Sequence, residues 1–206
     1  FLSKLEKNQD LKRILLEQTP WVLNAKDERE RKHRIAMLFD LNNMQNQLDN
    51  SIRLLEKFQK PNGGFCWMNE MRESRYITQH IVAGMGHLKQ LKVIDTERDQ
   101  TINQMLVRAV EYLDNKLLED YNDTRRYCEK HCKDSKKKEC FKDCMDDKHL
   151  NYTVIHYLYA RSYFPEFSVP GKCKEAFAYY QKQMKTYWQK QGLYIEGMIA
   201  LTLHRM

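Results

Sequence analysis

Between Gln59 and Leu91 the chain reads QKPNGGFCWMNEMRESRYITQHIVAGMGHLKQL, and this stretch constrains the fold more than any other. A helix that arrives at Lys60 must stop at Pro61, which has no N–H with which to continue it. Asn62, Gly63 and Gly64 then make a tight turn, because adjacent glycines reach positive φ at low steric cost. Phe65 and Trp67 leave the turn as large apolar anchors, and a second helix is predicted from about Ser74 to Val93. Its residues Ile77, Ile81, Met85, Leu88 and Leu91 recur every three or four positions, which predicts one buried stripe. Gly84 and Gly86 each weaken a helix interior by about 1 kcal/mol against alanine, so another element is expected to approach closely there. The stretch is the hinge of a helical hairpin.

The rest of the chain repeats that theme. Only 7 Gly and 4 Pro occur in 206 residues, so turns are few and helices long. Leu2 to Leu16 predicts a short helix broken near Asn8–Asp10 and ended by Thr19–Pro20–Trp21. Asn24 or Asp27 can cap the next helix, from about Asp27 to Gln59, with a break in its asparagine-rich middle at Asn42 or Asp49. Thr96 and Asp99 resemble a capping box for a helix burying Ile102, Leu106, Ala109, Val110, Leu113 and Leu117. Asp120 to His149 is polar, highly charged and holds four of the six cysteines. Helical pattern resumes at Tyr152, pauses between Phe164 and Gly171, returns from Phe177 to Trp188, and resumes after Gln191–Gly192. Val, Ile and Thr nowhere alternate as a strand requires, so the fold class is all-α. Helices with small residues (Ile77 to Leu91, Tyr152 to Tyr163, Leu193 to Met206) alternate with longer, more charged ones. That alternation predicts hairpins in a ring or solenoid, with a packed inner layer and a half-solvated outer layer.

The formal charge is +7, but the basic residues are interleaved with acids, as from Lys26 to Arg34, and no nucleic-acid motif accompanies them. A solvated helix surface explains them, and nucleic acid is not an expected partner. No apolar run approaches the roughly 20 residues of a membrane helix. The chain starts at Phe1 and stops on an apolar pattern, so a piece of something longer is expected, one that exposes apolar faces and tends to associate.

Several motifs in register carry a resemblance. They are Pro61–Asn62–Gly63–Gly64–Phe65–x–Trp67, then Ser74–Arg75–Tyr76–Ile77–Thr78, then Ile81–Val82–Ala83–Gly84–x–Gly86–His87–Leu88. Leu15 to Val22, Met37 to Asn42, Tyr152 to Arg161 and Tyr187 to Arg205 fit the same pattern. Together they resemble the central part of the thioester domain of bacterial alpha-2-macroglobulins, closest to the large Bacteroides-type forms. The similarity spans nearly the whole chain apart from Asp120 to Lys148. It implies an incomplete α/α toroid of helical hairpins, like the terpenoid cyclases and protein prenyltransferases. The whole of 1–206 would be one such domain, with a cysteine-rich helical hairpin inserted at about 120–149. It also implies a non-catalytic part of a broad-spectrum endopeptidase inhibitor in bacterial defence, exported to the periplasm or cell surface. The implied partners are proteases and the parent's other domains, with no cofactor. In that family a cysteine is acylated by a glutamine in a Cys-x-Glu-Gln run. Here Leu15–Leu16–Glu17–Gln18 has leucine where the cysteine would stand, and the thioester segment is expected upstream of Phe1.

Cys128 and Cys132, like Cys140 and Cys144, are spaced i, i+4 and so share one helix face. Two short antiparallel helices joined by the lysine-rich Lys133–Glu139 segment would set Cys128 opposite Cys144 and Cys132 opposite Cys140. Two disulfides would then staple a hairpin too polar to hold itself by burial. The alternatives are a four-cysteine zinc site, with His131 or His149 at hand, and free thiols. Disulfides agree with an exported location. Cys66 and Cys173 are left over, to pair with each other or to stay buried as thiols.

His80 and His87 lie seven apart with Tyr76 one turn earlier, on nearly one face of a small-residue helix. They can line a cavity or hold a metal, or simply be packed, hydrogen-bonded polar groups. Tyr157, Tyr159, Tyr163, Tyr179, Tyr180, Tyr187 and Tyr194 read as aromatic stripes of core or rim, or as an exposed set that contacts a partner. The competing function is an α/α-toroid enzyme, either carbohydrate-active or terpenoid-cyclase-like, which needs acids converging across a cleft. The clustered acids are Asp143, Asp146 and Asp147, within the cysteine-rich insert, and a solvated face explains them. No residue is assigned a catalytic role, and the chain is not expected to be an enzyme.

Overall fold

A computed structural model describes residues 26–39, 41–68, 70–96, 99–132, 138–189 and 191–206. The predicted helix between Leu2 and Leu16, Thr19–Trp21 and the Leu15–Gln18 run lie outside them. The described residues are mostly helical and contain no strand, only isolated bridges at Gln59–Phe65 and Cys66–Glu73. Contacts divide the chain into two units, Phe1–Leu54 and Leu55–Met206.

The first unit contains α1 (Glu28–Phe39) and most of α2 (Leu41–Phe58). Asp27 opens α1, its Oδ1 accepting from the Glu30 N–H at 2.7 Å. The break expected between Asn42 and Asn50 is absent: α2 runs through that segment.

The second unit holds α3 (Arg75–Gln90), α4 (Gln100–His131), α5 (Lys138–Asp146), α6 (Tyr152–Arg161), a 3-10 turn at Gly171–Cys173, α7 (Lys174–Thr186) and α8 (Leu193–Arg205). Three of these helices begin on a side chain that satisfies an otherwise orphaned N–H. Ser74 accepts from Ile77, Asp99 from Ile102, and Asn151 from Val154. The capping-box reading is therefore shifted by one turn. Asp99 itself is the cap of α4, and the Thr96 carbonyl accepts from the Asn103 side chain.

Helices α3, α6 and α8 pack side by side in one row, α6 in the middle. Helices α4 and α7 pack against each other and back that row, and α5 leans on α4. The centre is α6, where every residue from Val154 to Arg161 is buried. The small-residue helices are thus the row, and the more charged helices are the layer behind it.

Two expectations need correction. Of the predicted stripe from Ile77 to Leu91, helix α3 fully buries only Met85. Its buried residues are Thr78, Gln79, Val82, Ala83, Met85 and Gly86. Ile77, Ile81 and Leu88 are only half-buried and Leu91 is 72% exposed. The reason is that α4 and α6 both pack on α3, so its polar and small residues face protein. Second, the hairpin at about 120–149 does not have two short arms. Its first arm is the end of the 32-residue α4, which runs on from the core without interruption.

Candidate functional site

The turn that organises the sequence is built from backbone upward. Lys60 N–H donates to the Gly64 carbonyl at 2.8 Å and Gly63 N–H to the Lys60 carbonyl at 2.9 Å. Gly63 has φ of +90°, and a Cβ there would lie 2.1 Å from the Arg108 carbonyl oxygen of α4. A Cβ on Gly64 would meet Glu73 at 2.8 Å. Gly63 is therefore required by conformation and by contact, and Gly64 by contact. Phe65 is buried, and its N–H donates at 2.8 Å to Thr78 Oγ1, whose hydroxyl donates in turn to the Ser74 carbonyl. The Gln59 amide donates to the Gly63 and Met105 carbonyls at 3.0 and 2.8 Å, fastening the turn to α4. Trp67 is not the second anchor that the sequence suggests. It is 64% exposed, while Phe65 and Cys66 before it are buried.

The row α3–α6–α8 carries a ladder of histidine and tyrosine. The rings of Tyr76, His80 and His156 meet in succession as tilted pairs, at centroid distances of 4.3 and 4.4 Å. Burial pushes the His156 imidazole down to about 4, helped by the charge of His80, so the ring is neutral near pH 7. Its Nδ1 has no hydrogen-bond partner. Two turns along α3, His87 Nε2 lies 2.9 Å from Tyr159 Oη and 3.1 Å from Tyr163 Oη. Arg205 of α8 donates to Tyr163 Oη at 3.1 Å and lies over its ring at 3.9 Å. Burial and the neighbouring Tyr159 raise the Tyr163 hydroxyl to about 12. Gly86 permits this assembly, since a Cβ there would stand 2.4 Å from Tyr163 Cγ. Gly84, by contrast, faces nothing within 4 Å, so close approach explains one of the two glycines. The ladder ties the helices of the row together, and His87, though exposed, is hydrogen-bonded within it. The sequence separated His80 from His156 by 76 positions, and nothing local paired them.

Behind the row lies a polar cluster that sequence reasoning missed. Tyr157 Oη donates to Asp114 Oδ1 at 2.5 Å, and Arg161 Nε approaches the same oxygen at 3.3 Å. Arg161 also donates to the carbonyls of Phe164, at 2.5 Å, and Phe167. Burial raises the Asp114 carboxyl and outweighs the opposing pull of Arg161. Each residue sits amid apolar helical pattern, so no local signal marked it.

The four clustered cysteines form two disulfides. Cys128–Cys144 has its Cα atoms 5.7 Å apart, and Cys132–Cys140 5.8 Å. These are the partners that antiparallel helices set opposite each other. Each bond removes unfolded-chain entropy; by loop length alone the wider one is worth about 3 kcal/mol. Helix α7 holds the second arm in place. Tyr179 donates to the Met145 carbonyl at 2.8 Å, and the Gln183 amide donates to the Asp147 carbonyl at 2.8 Å while accepting from His149 N–H at 3.0 Å. Cys66 and Cys173 do not pair: both are buried free thiols. A cavity of about 580 Å³ opens beside the hairpin, lined in part by His131, Cys140, Cys144 and His149. The acids singled out earlier are here as well. Asp143 and Asp147 line this cavity, while Asp146 pairs with Lys182 at 2.7 Å, which holds its carboxyl below the usual range.

Comparison with family models, with curated proteins and with solved structures yields no match. Among the described residues no helix is long and apolar enough to cross a membrane.

Proposed function

We propose that the chain is a non-catalytic α/α-toroid domain of a bacterial alpha-2-macroglobulin-like protease trap. On this reading it is exported to the periplasm or cell surface and works against proteases together with the parent's other domains. The observation that carries the reading is the turn at Pro61–Phe65. Motif residues Gly63, Gly64, Phe65, Ser74, Thr78 and Gly86 each have a defined contact there or on the helix that follows. The motif behaves as one structural unit, which supports reading its matches together. The row-and-backing arrangement of hairpins is what a segment of a toroid would look like, and the two disulfides are compatible with export.

An enzyme of the toroid class would need acids on the row that faces the toroid's centre. Helices α3 and α6 contain no Asp or Glu, and α8 contains only Glu196, whose Oε1 accepts from Gln191 N–H at 3.3 Å. That distribution favours a scaffold over catalysis.

The test is made on the intact parent protein with endopeptidases of several specificities. A cleaved parent should retain the protease, blocking its action on a large protein substrate while a small peptide is still hydrolysed. A parent that is cut without altering any protease's access to large substrates would sink the reading.

A further inference from the structure

The cysteine hairpin carries more ligating groups than two disulfides use. The Sγ atoms of Cys128 and Cys144 and a ring nitrogen of His149 all lie within 4.8 Å of one another. Cys128 is fully buried and Cys144 nearly so. His149 Nε2 lies 2.7 Å from the Cys144 carbonyl oxygen. A carbonyl only accepts, so Nε2 carries a proton and Nδ1 is the ring nitrogen left to ligate. Ligating histidines are commonly oriented by such an N–H to a backbone carbonyl. The backbone of His149 is fixed independently of both disulfides, by its N–H to Gln183 Oε1 at 3.0 Å. The adjoining cavity gives an ion a path in from solvent.

We propose that, once its disulfides are reduced, the hairpin binds a thiophilic divalent cation such as Zn²⁺ through Cys128, Cys144 and His149. Reduction by a dithiol breaks the Cys128–Cys144 bond, gives two thiols and closes a disulfide in the reductant. The cation then displaces one proton from each thiol, and His149 contributes its lone pair. Two thiolates balance the charge of the ion, so the buried site is neutral. At Zn–S distances near 2.3 Å the sulfurs stand about 3.8 Å apart in a tetrahedral site, a modest opening from a bonded pair. The outer pair, Cys132 and Cys140, is half-buried and is not required. The end of α4 and α5 are thus held together in either redox state, by a covalent bond or by an ion.

The test uses the whole chain, reduced anaerobically and freed of reductant, titrated with Co²⁺ and then competed with Zn²⁺. One Co²⁺ per chain is expected, with the visible ligand-field bands and near-ultraviolet charge-transfer band of tetrahedral thiolate coordination. The Cys132→Ser/Cys140→Ser chain should bind alike, and Cys128→Ser/Cys144→Ser should not bind. His149→Ala should weaken binding at least about tenfold, the loss typical of even outer-shell partners. His149 is only half-buried, so this variant should keep the helical circular dichroism of its parent. A reduced chain without the tetrahedral spectrum, an oxidised chain that binds equally, or a His149→Ala chain of unchanged affinity would each overturn the proposal.

Discussion

Replacing Thr78 with valine removes one hydroxyl from the centre of the turn and leaves the shape of the side chain intact. Thr78 is fully buried, and its Oγ1 accepts from Phe65 N–H at 2.8 Å. It also donates to the Ser74 carbonyl, but that carbonyl keeps a bond from Thr78 N–H at 2.9 Å. The substitution therefore orphans one buried donor, the Phe65 amide, at a cost of about 1–3 kcal/mol. The added methyl returns up to about 0.8 kcal/mol of apolar burial. A net loss of about 1–2 kcal/mol is expected. Thr78→Ser keeps both bonds and removes one methyl, which costs about 1 kcal/mol. The two variants differ little in overall stability, so urea unfolding alone does not separate them. Amide exchange does. In Thr78→Val the Phe65 amide should exchange about 5- to 30-fold faster relative to a core reporter such as Leu113, whereas in Thr78→Ser its relative protection should be unchanged. Equal relative protection of Phe65 in the valine variant would refute the claim that this hydroxyl holds the turn.

Three further outcomes are expected. Because burial depresses the folded-state value of His156 to about 4 while the unfolded value is near 6.5, its contribution is complete above pH 6.5 and is lost as pH falls from there to about 4. The loss reaches about 3 kcal/mol, and His156→Phe should remove that part of the pH dependence of urea unfolding; an identical profile in the variant would count against it. Gly84→Ala should raise the melting temperature, worth about 1 kcal/mol of helix propensity with nothing to clash, while Gly86→Ala should lower it by overpacking against Tyr163, worth about 1–3 kcal/mol. Matching shifts in thermal scans would refute the distinction. Replacing Cys128 and Cys144 by alanine should destabilise the chain by about 3 kcal/mol through lost chain constraint, and proteolysis of the native state should cut first near the hairpin; an unaltered cleavage pattern would contradict this.

Much of this protein was legible from local chemistry. Pro61 and the two glycines marked the hinge, and the i, i+4 cysteines marked a hairpin whose register chose its own partners. The helix after the hinge begins where the sequence put it, at Ser74, whereas the next begins one turn later than its Thr96 capping-box pattern suggested, at Asp99. The toroid and the protease trap are different in kind, because they rest on a resemblance between motifs and not on local chemistry.

By itself, then, the sequence determined the all-α class, the hinge at Pro61–Gly64 and the cysteine register within one hairpin, because those depend on groups within a few residues of each other. Tertiary structure decided which face of α3 is buried, because periodicity shows that a face exists but not that neighbours cover it on two sides. It also decided the meeting of Asp114 with Arg161, of His80 with His156, and of His149 with Cys128. Those side chains come from separate helices or from opposite ends of the hairpin, and only packing brings them within bonding range.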